Sequence, residues 1–274
     1  MTLQTDDFRQ FEHEGWQRIA ARYDSAWNGL VRPFVPHLLG AARVGSGTRL
    51  LDVACGPGYA SEAAHVLKAI PTGLDFSSEM IRIARKHNPW IRFQEGDAQD
   101  LDFAEDYFDS VVMNFGLLHL SMPETAFAEA CRVLRPGGWY GFTIWATPDK
   151  NPGSRIVQEA VEAYAISDVQ LPRGPDYFCF SSPEECRRAL ERVGFDPESL
   201  VFQTRTIEWE VASVSYLFDS ELNAGVRTAA ILAAQNPGVI KDIRMQIEKV
   251  VKTYAKEDGF VIPFTAHIVA ARVL

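Results

Sequence analysis

The sequence carries little to staple itself with. Its four cysteines, Cys55, Cys131, Cys179 and Cys186, form no CxxC pair and have no histidine at zinc-ligand spacing. Neither a metal site nor a disulfide framework is expected, and the thiols read as reduced. No apolar run approaches the roughly 18 residues that a membrane helix needs. The opening stretch, Met1 to Gln10, is polar and acidic and is not expected to act as a signal peptide. Cations are in deficit: 27 Lys and Arg stand against 36 Asp and Glu, a formal charge of −9. A surface of that sign repels phosphate backbones. The short cluster Arg82, Arg85 and Lys86 reads as a solvated helix face. Internal repeats and low-complexity stretches are missing as well. The expectation is a cytoplasmic monomer or homodimer with a small-molecule partner, and with neither nucleic acid nor membrane.

What is present suffices for a full core. A chain of 274 residues hides roughly 73% of its unfolded surface on folding. Residues 8–28 carry Phe8, Phe11, Ile19, Tyr23 and Trp27 at helical spacing, and a second helix is expected through about residue 42. From Thr48 to Ala146, β-type runs alternate with helical stretches. The runs are Thr48–Ala54, Ala69–Leu74, Ile91–Glu95, Phe108–Asn114 and Trp139–Trp145. The helices are expected at Tyr59–Leu67, Ser78–His87 and Pro123–Val133. This rhythm predicts a parallel sheet with helices on both faces. Later, Ser182-Pro183-Glu184-Glu185 reads as a capped helix start. Val201–Val211 and Gly259–Val273 read as two antiparallel strands that bracket a helical insert, 213–256, over a pocket.

The most informative segment is Leu50-Leu51-Asp52-Val53-Ala54-Cys55-Gly56-Pro57-Gly58-Tyr59-Ala60. An apolar strand ends in an acid, turns on two glycines and opens a helix. Glycine lets backbone approach a ligand, and the helix N-terminus aims donors at it. Ser61 stands where a dinucleotide fingerprint wants a third glycine, and the Gly-Lys-Ser/Thr of a phosphate loop is absent. A nucleotide-like ligand without a triphosphate is favoured. Asp75 ends the second run and suits a pair of ribose hydroxyls; it can also cap the helix that starts near Ser77. Gly96-Asp97-Ala98 follows the third run, and its acid and following N–H either meet a base or simply form a turn.

These residues resemble the class I S-adenosylmethionine (SAM)-dependent methyltransferases, in the small-molecule group similar to the ubiquinone and menaquinone biosynthesis methyltransferases (methyltransferase type 11 domain). The match rests on Leu51–Gly58, Gly73–Met80, Gly96–Ala98, Phe108–Val112 and Leu134–Gly138, in order and at family spacing. It covers residues 48–146; the rest of the chain is similar only in outline. The resemblance implies an α/β, Rossmann-like, doubly wound seven-stranded sheet with a reversed last strand, plus N-terminal helices and a helical cap insert. It divides the single domain into an N-terminal lid (1–44), a SAM-binding core (45–146) and further strands with pocket inserts (147–274). By the same resemblance, Asp52, Ala54, Cys55, Gly56 and Gly58 shape the turn around the methionine portion of SAM. Asp75 and Phe76 hold the ribose side. Gly96, Asp97, Ala98 and Met80 hold the adenine. Asn114 and Phe115 approach the sulfonium, and Tyr23 reaches the carboxylate. S-adenosylhomocysteine (SAH) is the implied product.

A sulfonium methyl is already activated, so the family names no obligatory catalytic residue. His119, just past the fourth strand, is the candidate base; it reads equally as a capping or core histidine, and Leu118 stands where many relatives carry another histidine. Trp16, Trp145 and Phe178 are candidate substrate walls, if they face one pocket rather than the core. Glu12, His13 and Glu14 either cap the pocket or face water. The expected reaction is methylation at oxygen or carbon of an apolar or aromatic metabolite. Rival readings are a SAM-fold protein that catalyses cyclisation or rearrangement, an NAD-type oxidoreductase, and a methylase of protein or nucleic acid.

Overall fold

The computed structural model describes residues 2–166 and 169–274. Five parallel strands form one side of a mixed sheet: β1 (Arg49–Val53), β2 (Ile70–Asp75), β3 (Arg92–Glu95), β4 (Phe108–Asn114) and β5 (Leu134–Trp145). β6 (Val201–Val211), β7 (Ala255–Lys256) and β8 (Gly259–Arg272) follow, and the order across the sheet is β3-β2-β1-β4-β5-β8-β6. The last strand, β8, runs antiparallel to both β5 and β6. The seven-strand, reversed-end topology is thus the one expected. The two-residue β7 adds a short hairpin arm to β8.

Burial explains the layering. β1 sits centrally, with Leu50, Leu51 and Val53 closed off on both faces, as a parallel strand under helices must be. On one face, Phe127 of α5 (Pro123–Val133) packs with Tyr140, Phe142 and Phe195. Cys186, Ala189 and Leu190 of α7 (Pro183–Arg192) join the same cluster. Ser182 caps α7, its hydroxyl accepting the Glu185 N–H at 3.3 Å. On the other face, Phe34, Leu38 and Leu39 meet Leu50, Val112 and the small Ala266 and Ala270 of β8. A third cluster joins α6 (Pro152–Tyr164), α8 (Tyr216–Ala224) and α10 (Pro237–Val251) over the far end of the sheet, beside α9 (Arg227–Ala233).

Two boundaries differ from expectation. α1 is one helix, Thr2–Val31, followed by a 3-10 turn at Arg32–Phe34 and then α2 (Val35–Ala41). Pro33 and Pro36 sit in the first turns of those two short elements, where a missing N–H is tolerated. β5 begins at Leu134, five residues before the expected Trp139. Leu134 pairs with Phe108 and Trp139 with Ser110, so the Arg135–Gly138 segment bulges out of the ladder.

The β1 turn leads into α3 (Tyr59–Val66), and β2 into α4 (Ser78–His87). Gly58 caps α3 with φ +91°, and a Cβ there would stand 2.9 Å from the Phe93 ring under the helix. We predict that Gly58→Ala lowers the unfolding free energy by about 2 kcal/mol, from left-handed strain plus overpacking. Urea denaturation checks this; an unchanged midpoint would contradict it.

Candidate active site

Two acids end the first two strands, and each ties down the turn that follows. Asp52 is buried, and its Oδ2 accepts the Ser61 N–H at 2.8 Å and the Ser61 hydroxyl at 2.7 Å. The residue that departs from a dinucleotide fingerprint is thus the partner of the β1 acid. Asp75 accepts the Gly56 N–H at 2.8 Å on one oxygen and the Ser77 N–H at 2.9 Å on the other. Burial pushes Asp52 up to about 7 and Asp75 up to about 6. Cys55 lies between them. Burial, then the charges of Asp52 and Asp75, hold its thiol well above the ordinary range, so it is neutral and not a nucleophile.

The neighbouring turn after β4 is strained in the same sense. Ala54 (φ +52°) and Phe115 (φ +59°) both occupy the left-handed region. The Thr143 hydroxyl fixes the second: it accepts the Phe115 N–H at 2.8 Å and donates to Asn114 Oδ1 at 2.7 Å. Gly116 fits between, since a Cβ there would stand 2.6 Å from the Ala54 Cβ.

Above these tips lies a cavity. The structure brings most of the expected cofactor residues to its wall: Ala54, Cys55 and Gly56 from the first turn, Asp75, Phe76 and Met80 from the second, and Asp52 beneath. Gly96, Asp97 and Ala98 line one end, and Asn114, Phe115 and His119 the other. Trp16 and Tyr23 come from α1. Burial, aided by the Asp75 charge, keeps the Tyr23 hydroxyl protonated, so it remains a donor. A second cavity adjoins the first and shares Trp16, Tyr23, Val31, Phe115 and His119 with it. Trp145 lines this second chamber, stacked on Phe115 with ring centroids 4.0 Å apart.

Two expected residues fall elsewhere. Gly58 is not among the residues that line the cavity, and a Cβ on it would meet the Phe93 ring. Phe178 lines neither cavity; its neighbour Tyr177 lines the second. Asp97 is also more engaged than expected. Arg9 pairs with one of its oxygens at 2.5 Å, and the Gln99 N–H bonds the other at 2.9 Å.

Of the two readings of Glu12, the structure has it turned inward, and Gln17, which the sequence did not single out, joins it. Glu12 is only 2% exposed, and its Oε2 lies 3.0 Å from His119 Nδ1. The Trp16 indole N–H donates to the same oxygen at 3.2 Å, while its ring meets His119 edge-on. Gln17 accepts the Ser77 hydroxyl at 2.7 Å and the Glu79 N–H at 3.0 Å, clasping the start of α4.

Strand-tip acids, a glycine turn and a cavity over the carboxyl ends of the strands define a nucleoside-binding α/β protein. Comparison with known proteins makes this specific. The family model described as methyltransferase domain matches residues 51–142. The ubiquinone biosynthesis O-methyltransferase of Thiobacillus denitrificans is 31% identical over 169 residues, 58% of this chain and 69% of that protein. The demethylmenaquinone methyltransferase of Renibacterium salmoninarum is 42% identical over 113 residues, 41% of this chain and 48% of that protein. The chain therefore spans about half the length of the latter. Among solved structures, Haemonchus contortus phosphoethanolamine N-methyltransferase 2, in complex with phosphomonomethylethanolamine and SAH, superposes with a TM-score of 0.56 at 18% identity, covering 97% of this chain and 60% of that one. The cyclase SpnF superposes at 0.54 with 20% identity, covering 90% of this chain and 82% of that one. These two show the fold alone. The chain belongs to the SAM-dependent methyltransferase family.

The residues fit that cofactor. A Cβ built on Gly56 meets nothing within 4 Å, so the turn leaves open space at the cavity wall. Each Asp75 oxygen holds one backbone N–H and keeps a second lone-pair site for a ribose hydroxyl. The Asp75 carboxylate on the wall favours a cationic sulfonium nearby.

A pH dependence follows. Asp75 and Asp52 titrate above the unfolded carboxylate value of about 3.9. Their contribution to stability is therefore full below about pH 4 and is lost as pH rises through about 6 to 7. Ligand binding has the opposite trend, because ribose hydroxyls donate to the ionised form of Asp75. We predict that SAH affinity rises about tenfold between pH 5 and 7 and then levels. Calorimetry across that range checks it; an affinity flat with pH, or falling, would contradict it.

Proposed function

We propose that the chain transfers a methyl group from SAM to an oxygen or carbon of a small aromatic or apolar acceptor, with His119 as the general base. The carrying observation is that buried Glu12 pairs with His119, which lies on the wall common to both cavities. When bound, SAM supplies a methyl on a sulfonium already poised for displacement. The protein is left to orient the acceptor, exclude water and take up a proton. In this reading Tyr23, Asp75 and the Gly56 turn hold the cofactor, Asp97 and Ala98 lie against its base, and Met80 packs beside them. Asn114 and Phe115 lie near the reacting centre, and Trp16 and Trp145 flank the acceptor.

Glu12 accepts the Nδ1 proton, which leaves His119 Nε2 free to accept a hydroxyl proton from the acceptor. The imidazolium so formed stays paired with the Glu12 carboxylate. The relatives' names, ubiquinone biosynthesis O-methyltransferase and demethylmenaquinone methyltransferase, support a quinone-like aromatic acceptor. We further assign residues 1–44 as a lid, 45–146 as the cofactor-binding region and 147–274 as the remaining strands and acceptor pocket. The enzyme is taken to act in the cytoplasm as a monomer or homodimer, without a metal. No helix among the described residues is long and apolar enough to cross a membrane.

The test is a panel of phenols and quinols assayed for SAH release. With an acceptor in hand, His119→Asn should lower kcat by roughly 10²–10⁴ while SAM affinity stays within about threefold. Glu12→Gln should lower kcat less and shift the acid limb of the pH–rate profile. Undiminished kcat in His119→Asn would remove the base assignment. Product formed without SAH release would replace methyl transfer with cyclisation or rearrangement.

A further inference from the structure

Methyl transfer leaves one half-buried acid of the second chamber unused. Glu221, in the last turns of α8, presents its carboxylate to a space walled by Trp27, Trp145, Tyr177 and Phe264. Among the described residues it is the only acid that lines this chamber. The Thr228 hydroxyl supplies a hydrogen bond. No cation among the described residues lies within ion-pair distance of it. Arg227, which lines the same chamber, turns its guanidinium to the Pro172 carbonyl at 3.2 Å. Its Oε2 lies against the Gly225 backbone, 3.0 Å from where a Cβ on that glycine would stand. Burial pushes Glu221 up to about 7, the mark of a carboxylate without enough compensating charge.

A carboxylate without an ion-pair partner among indole and phenyl faces suits one ligand chemistry. The carboxylate attracts a cation, and so do the ring faces. A cationic ligand would hold Glu221 ionised, whereas a neutral hydrocarbon would leave it to take up a proton. We propose that Glu221 is the substrate anchor of the acceptor chamber and recognises a protonated nitrogen on an aromatic or apolar acceptor. This inference rests on the methyltransferase reading, which makes the second cavity the acceptor site. It adds that the acceptor carries a basic nitrogen, distinct from the atom that His119 serves. Glu221 acts as a specificity-determining residue and takes no part in proton transfer.

The probes are 2-phenylethylamine, 2-phenylethanol and phenylacetate, which share one ring and differ in terminal charge. Each is titrated into full-length protein saturated with SAH, with tryptophan fluorescence as readout, since Trp16, Trp27 and Trp145 line the chamber. The amine should bind at least tenfold tighter than the alcohol, and phenylacetate weakest. Glu221→Gln should cut the amine preference to within about twofold and leave the alcohol and SAH affinities unchanged. Glu221→Asp, which keeps the charge on a shorter arm, should retain some of the preference. An amine that binds no tighter than the alcohol, a preference that survives Glu221→Gln, or no binding by any probe would each overturn the anchor. Calorimetry with SAH on the same samples separates the two readings. Absent SAH binding refutes the methyltransferase reading itself; intact SAH binding without amine preference refutes Glu221 alone.

Discussion

Everything at this site hangs on a carboxylate that is held out of water. Asp75 stands at the tip of β2, 5% exposed, with the Gly56 N–H on one oxygen and the Ser77 N–H on the other. One residue thereby fixes the β1 turn against the start of α4. Burial raises its pKa by more than the two backbone hydrogen bonds lower it, so Asp75 remains short of donors. That deficit is what a ribose would relieve. Asp52 has a similar role on the adjacent strand, but Ser61 already supplies two donors to one oxygen. The first acid therefore organises the helix, and the second is left for a ligand.

α1 covers the site in two different manners. Its first half is held by polar contacts: Arg9 to Asp97, Glu12 to His119, and Gln17 to Ser77 and Glu79. Its last turn is buried in apolar clusters through Leu30 and Val31. Exposed ion pairs such as Arg9–Asp97 contribute little stability, whereas the buried end is anchored by area removed from water. The same helix supplies Glu12, so the helix that covers the cavity also orients His119.

Much of this was legible in the sequence, for reasons that can be named. Alternating apolar runs and helical stretches identify β1 to β5 because buried parallel strands tolerate little else. Asp75 was legible because an acid at a strand tip, followed by a serine cap, has few other uses. Glu12 was not. In its helix it looks like any solvated acid, and its burial depends on His119, 107 positions away. Gly58 misled for a related reason: spacing shows that a glycine is needed but not whether a ligand or Phe93 demands it. Between Tyr177 and Phe178, a loop without periodicity gives no sign of which ring turns inward. The 3-10 break after Val31 needed Pro33 and Pro36 to be read as first-turn residues of new elements.

The most direct test of the account is calorimetric titration of SAH into wild-type protein and Asp75→Asn at pH 7.5. The asparagine keeps the size of the side chain but loses the charge and one acceptor. The account predicts micromolar binding to the wild type and a loss of about 1.5–3 kcal/mol, roughly 10- to 150-fold, in the variant. Thermal unfolding of both proteins verifies that the turn still forms. Equal affinity in a folded Asp75→Asn would contradict the claim that this buried carboxylate is the grip on the cofactor.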